Sequence, residues 1–139
     1  MLYVLTNLPL LYKPTIIEDD FLEDLILEIK KIGINTIAFM PTRNTPAQLE
    51  RLMGLCEKND MFQISGEDIN SPRQKFEGKA LADPRYSHLI DSTWTLIGHE
   101  ARETKEGIEN GLFGSKTLKE IPNLKERIKL FSASGRKTI

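Results

Sequence analysis

Several things are scarce in this 139-residue chain, and each scarcity excludes something. There is one cysteine, Cys56, so no internal disulfide framework is available, and a reducing cytoplasm is the expected compartment. The only two histidines are His88 and His99. They form neither an HxH nor an HExxH pattern, so a zinc site built from this chain alone is not expected. Neither charge sign dominates: 19 Lys and Arg stand against 20 Asp and Glu, a net charge of −1. That balance argues against a general nucleic-acid binder and leaves nucleic acid open only as a compact substrate. The nine glycines are scattered rather than gathered in a phosphate loop, and no GxSxG marks a serine nucleophile. No run approaches the roughly 18 apolar residues of a membrane span. The apolar start, MLYVLTNLPLLY, lacks a basic n-region and a small-residue cleavage site. Asn7 and Pro9 interrupt it, so it reads as a strand and its loop rather than a signal peptide. What remains, at 40% hydrophobic and 28% charged residues, is the composition of a cytoplasmic globular domain with a real core.

The elements follow a strand–helix rhythm. Tyr3–Thr6 reads as a short buried strand, followed by a loop marked by Pro9 and Pro14. Thr15-Ile-Ile-Glu18 matches a capping box. Phe21, Leu22, Leu25, Ile26, Ile29 and Ile32 then recur at helical spacing, and Gly33 supplies the stop. INTIAFM, residues 34–40, reads as the next strand. Thr45-Pro46-Ala47-Gln48 is another cap, with proline where its missing amide costs nothing. Leu49, Leu52, Met53 and Cys56 form the apolar stripe of the helix it opens. Asn59-Asp60 turns the chain into a third strand, MFQIS, residues 61–65. Short connections between such elements predict parallel strands with right-handed crossovers.

The second half offers no comparable strand. A helix is predicted from Pro84 to about Thr104, carrying Leu89, Trp94, Leu96 and Ile97. Residues 105–114 read as a polar connection. Pro122 opens a last helix with Leu124, Ile128, Leu130 and Phe131, and the tail SASGRKTI reads as frayed. The expected fold class is therefore α/β. A partial βα barrel of about three parallel strands with flanking helices occupies residues 1–82, and a helical half, 83–139, packs on the same domain. A three-strand parallel sheet needs both faces covered and its edges protected, which points to a piece of a larger α/β protein or to a homodimer. A small flavodoxin-like domain would need two further strands.

Parallel strands deliver their carboxyl ends to one face, where ligands bind. Those ends carry Thr6 and Asn7, then Thr42, Arg43 and Asn44, then Glu67, Asp68 and Asn70, with Arg73 on the last loop. Carboxylates can hold a divalent metal, and arginine can pair bidentately with phosphate or carboxylate. The same residue types also build turns. Asp68 and Asn70 suit Asx-turns, Asn44 suits the turn before the Thr45 cap, and Arg43 or Arg73 can simply be solvated or tied to a structural acid. Cys56 lies on an apolar stripe, as a core thiol would, and Trp94 sits at the spacing of a core or interface residue.

The stretch AFMPTRNTPAQLERLMGLCEKNDMFQISGEDINSP resembles the last two strand–helix units of the PHP family, the polymerase and histidinol phosphatase domain. The resemblance covers about a third of the chain. It implies a distorted βα barrel that binds up to three divalent metals, Mn, Zn or Mg, and hydrolyses phosphoesters. The family ends one strand in a Pro-Ser-His-Ser-like turn and a later one in Gly-Ser-Asp-x-His. The matching segments here are Pro41-Thr42-Arg43-Asn44-Thr45 and Gly66-Glu67-Asp68-Ile69-Asn70. Asp68 falls on the family's aspartate ligand. Asn70 replaces the histidine two residues on, and either Arg43 or Asn44 replaces the earlier turn histidine. Asparagine offers a carbonyl oxygen but is a poorer zinc ligand than imidazole. Arginine cannot ligate a cation, though it can bind a substrate phosphate.

The family's His-x-His pair and its further His and Glu ligands have no counterpart here and would lie upstream of Met1. The resemblance therefore implies the C-terminal part of a PHP-like metal-dependent phosphoesterase. Asp68 and Asn70 would lie at the metal, and Arg43, Asn44, Glu67 and Arg73 at the substrate, a phosphorylated small molecule or nucleotide. The chain alone would then be inactive. The alternative is a non-catalytic PHP-derived module for binding or self-association.

Overall fold

The computed structural model describes residues 21–41, 44–66, 72–73 and 78–138. The chain is α/β and mostly helical, with one two-stranded parallel sheet among the described residues. Two compact units divide it, Met1–Gly66 and Glu67–Ile139. The expected strand Tyr3–Thr6 and the Thr15–Glu18 cap lie outside the described residues, as does any closure of the sheet into a barrel.

In the first unit, helix α1 spans Leu22–Lys31, with Glu23 and Asp24 in its first turn and Lys30 and Lys31 in its last, both matched to the helix dipole. Gly33 ends it at φ 87°, a value open to glycine at little cost. The amide of Gly33 donates to the Lys30 carbonyl and that of Ile34 to the Ile29 carbonyl, both at 3.0 Å. Those two bonds make a Schellman stop. Only part of the apolar stripe is used: Ile26 and Ile29 are buried, whereas Phe21, Leu25 and Ile32 are exposed at 61, 40 and 74%.

Strand β1, Thr36–Phe39, leads to helix α2, Pro46–Lys58, and strand β2, Phe62–Ser65. The Thr45 cap is a complete capping box. Gln48 N donates to Thr45 Oγ1 at 3.3 Å, and Thr45 N donates to Gln48 Oε1 at 3.0 Å. At the far end of α2, Asn59 Nδ2 donates to the Leu55 carbonyl at 2.9 Å, Lys30 Nζ donates to the Asn59 carbonyl, and Asp60 turns the chain at φ 50°. The strands pair in parallel, Thr36 with Phe62 through to Phe39 with Ser65. Gln63 Nε2 reaches the Met53 carbonyl at 3.5 Å, so α2 lies over the face that Gln63 shares with Ile37 and Phe39. Ala38 and Ile64 are buried on the opposite face.

The second unit has no strand among its described residues. After two 3₁₀ turns, Lys79–Ala82 and Pro84–Tyr86, helix α3 runs over Ser87–Glu106. A 3₁₀ turn at Ile108–Asn110, a short helix α4 at Ser115–Glu120 and helix α5 at Leu124–Gly135 follow. The sequence reading contained no α4. It also misjudged the tail, because Ser132 and Gly135 are helical and buried. The reason is the way α3 and α5 meet. The buried face of α3 is Leu89, Ser92, Thr95 and Gly98, mostly small residues, while Trp94, Leu96 and Ile97 are half-buried. A Cβ on Gly98 would lie 2.1 Å from the Phe131 carbonyl oxygen, and one on Gly135 would lie 2.0 Å from that of Trp94. The backbones therefore touch, and the Thr95 hydroxyl lies between the Asp91 carbonyl of its own helix at 2.8 Å and the Ile128 carbonyl across the contact at 3.2 Å, sharing its one proton. Arg136 fastens the end of the helix, bonding Asp91 at 2.6 Å and lying over the Trp94 ring.

Gly98→Ala should therefore destabilise the chain by about 2–3 kcal/mol, the scale of overpacking in a fixed contact. Gly54, exposed inside α2 with nothing within 4 Å of a built Cβ, should behave oppositely. Gly54→Ala should add about 1 kcal/mol through helix propensity. Guanidinium midpoints of the two variants check the pair, and destabilisation by both would contradict the assigned contacts.

Candidate functional site

Parallel pairing decides where the candidate loops begin. Because Phe39 stands beside Ser65, the segments that follow β1 and β2 leave from the same edge of the sheet. Gly66 N extends the ladder by one bond to the Phe39 carbonyl at 2.8 Å, which carries the pairing to the point where the second loop starts. Adjacent strands lie about 4.8 Å apart, so the two loops start as neighbours.

Among the expected site residues, Asn44 and Arg73 belong to the described residues. Arg43, Glu67, Asp68 and Asn70 lie outside them, as do Thr6, Asn7 and Thr42. Asn44 performs a local task. Its backbone N–H donates to the Met40 carbonyl at 3.2 Å, and its side-chain Nδ2 donates to the same oxygen at 3.1 Å. It therefore closes the turn that leads into the Thr45 cap, which fixes the direction in which α2 departs. Arg73 is exposed at a turn in the second unit.

Among the described residues, no group of three or more His, Cys, Asp or Glu side chains could hold a metal ion. The two histidines do not converge: His88 and His99 lie three turns apart on α3. His99 has a partner of its own, since its Nδ1 accepts the Leu112 N–H at 3.1 Å.

The second unit carries a shallow cleft of about 330 Å³ beside Ala101, Leu130 and the Arg102–Glu106 ion pair. None of the expected site residues lines it. Sequence reasoning overlooked Arg127, which is 5% exposed and reads from sequence as one more cation on the last helix. Its Nη1 donates to the Leu112 carbonyl at 2.7 Å, and its guanidinium lies 5.2 Å from the centre of the Phe113 ring. The available signal was position: Arg127 falls between Leu124 and Phe131 on the apolar side of the helix.

No protein-family model, curated protein or solved structure matches this chain. No described helix is long and apolar enough to cross a membrane.

Cys56 is the remaining reactive side chain, and its surroundings disarm it. Fully buried on α2, its thiol is pushed up to about 12 by desolvation, because burial penalises the thiolate. Folding thus favours the neutral thiol. Its stabilising effect is complete below the ordinary thiol value of 9.0 and is lost as pH rises toward 12. In the native protein at pH 8, Cys56 should resist alkylation by iodoacetamide, and it should react promptly once denaturant is added. Equal labelling rates in the two states, read by mass spectrometry, would show that the thiol is accessible.

Proposed function

We propose that this chain is the C-terminal part of a PHP-like, metal-dependent phosphoesterase, and that the loops leaving β1 and β2 form one rim of its site. One observation carries this reading. The two segments that match the family's turns, Pro41–Thr45 and Gly66–Asn70, start side by side at the carboxyl edge of a parallel strand pair. The covering of the sheet supports it too, because α2 lies on one face while Ala38 and Ile64 are buried on the other, as in the wall of a barrel.

In this reading Asp68 ligates the metal and Asn70 adds a carbonyl oxygen. Arg43 and Arg73 counter the charge of the substrate phosphate. Glu67 and Asn44 would complete the substrate side of that site. The substrate is a phosphorylated small molecule or a nucleotide, engaged locally, since the chain has no basic excess to hold a polyanion. A bound divalent metal would supply an activated water and would stabilise charge on the phosphoryl oxygens. One retained aspartate cannot assemble a multinuclear site, so the 139 residues alone are inactive.

A second reading, a non-catalytic module that binds a partner or itself, is favoured by α1. Its exposed Phe21, Leu25 and Ile32 fall on one side of the helix at i, i+4 and i+11, a run of apolar surface that water does not reward.

The reading of the gene upstream of the Met1 codon separates the two. An in-frame extension that encodes a His-x-His pair and further strand–helix units is expected. The extended protein should then hydrolyse a phosphomonoester in a chelator-sensitive manner, and Asp68→Ala should lower its kcat by a hundredfold or more. The 139-residue chain should show no such turnover. Chelator-sensitive activity from that chain, or an extension without metal ligands, would overturn the hydrolase reading.

A further inference from the structure

We infer that the chain associates with a second copy of itself, the α1 face of one copy docking on the basic α4–α5 face of the other. The inference rests on the second reading above, in which α1 is a binding surface, and it names the occupant of that surface.

The near-neutral total hides a strong asymmetry. Residues 115–139 hold seven Lys and Arg against two Glu, whereas residues 1–114 hold twelve against eighteen Asp and Glu. Within the last stretch, Arg127 is buried and Arg136 is bonded to Asp91. The other five cations, Lys116, Lys119, Lys125, Lys129 and Lys137, are all exposed, and none of them makes an ion pair among the described residues. Glu120 and Glu126 are the only acids on either helix. Lys125 and Lys129 stand one turn apart on α5, so they repel each other, a small cost that an acidic partner removes. Apolar surface accompanies the charge. Leu118 and Leu130 are exposed at 41 and 42%, and Leu130 borders the cleft of about 330 Å³.

The acidic counterpart stands on the same chain. Residues 18–28 contain six Asp and Glu and no Lys or Arg. On α1, Asp24 and Glu28 are exposed one turn apart, on the flank of the Phe21, Leu25 and Ile32 stripe, and Lys31 engages Glu28 only at the surface, at 2.6 Å. Each face therefore offers two like charges at the same one-turn spacing beside exposed apolar side chains, negative on α1 and positive on α5. Two helices laid side by side can match both pairs at once while the α1 stripe covers Leu130 and enters the cleft. Any encounter between two copies brings the complementary faces together in equal number, and the contact is heterologous because the faces differ.

Sedimentation velocity on the full 139-residue chain tests this. The wild-type chain should sediment faster as its concentration rises. Its dissociation constant should increase about tenfold or more between roughly 50 and 500 mM salt, because the screening length falls about threefold. Two double variants remove one face each: Lys125→Glu with Lys129→Glu, and Asp24→Lys with Leu25→Lys. Each alone should stay monomeric, with helical circular dichroism like that of the wild type. Mixed in equal amounts they should form a one-to-one complex, since one supplies an intact α1 and the other an intact α5. A wild-type chain that is monomeric at every concentration, association that salt leaves unchanged, a variant that associates alone, or a mixture that stays monomeric would each overturn the inference. Those results would leave α1 to a different partner, and the module reading itself falls only if the gene upstream of Met1 encodes the metal ligands.

Discussion

The parallel pairing of β1 with β2 is the constraint on which the first unit depends. Parallel strands cannot be joined by a tight turn, so the chain must cross back over the sheet, and α2 is that crossing. The crossing in turn needs a defined start, which the Thr45–Gln48 box and the Asn44 turn provide. It also needs a defined end, which Asn59 and the left-handed Asp60 supply. Once direction and register are fixed, the loops after Phe39 and Ser65 have no choice of side. Whatever chemistry those loops carry is concentrated at one edge of the sheet because the strands run the same way.

The second unit rests on a different economy. Its two long helices do not interlock large side chains; they remove side chains and let backbones meet at Gly98 and Gly135. Close approach gains dispersion contacts along both helices and lets Thr95 bond across the joint. Around that joint the unit buries Leu89, Leu112, Leu124 and Phe131, and polar ties organise the 107–114 segment. A buried arginine is costly unless its donors are used, and Arg127 uses one on the Leu112 carbonyl and sets its plane near Phe113.

Much of the first unit was legible because its signals are local. A threonine followed three residues later by glutamine, with proline between, describes a helix start whatever surrounds it, and Gly33 after an apolar stripe describes an end. The second unit was harder to read because its determinants are pairs distant in sequence. Gly98 looks like a weak point in a helix and SASG like a loose tail until each is seen to require the other. The spacing of Ser92, Thr95 and Gly98 at three-residue steps was the clue, and it has meaning only beside Ser132 and Gly135. The α1 stripe was legible as helix, but periodicity alone does not say how much of a stripe is buried. At the candidate site, Asn44 closes the turn before the Thr45 cap, one of the two roles that its place in the sequence allowed. The roles of Asp68, Asn70, Glu67 and Arg43 rest on the resemblance and on the shared edge from which their loops depart.

If this edge is the rim of a metal site, Mn²⁺ will report it, because the ion broadens the NMR signals of nearby nuclei. Titrated into the 139-residue chain, Mn²⁺ should first broaden the amides of Asn44 and Gly66, which flank the two loops, and Asp68→Asn should remove that preference. Broadening that spreads evenly over exposed acidic residues such as Asp24, Glu57 and Glu109, or that is unchanged in the variant, would mean that no metal site lies at this edge.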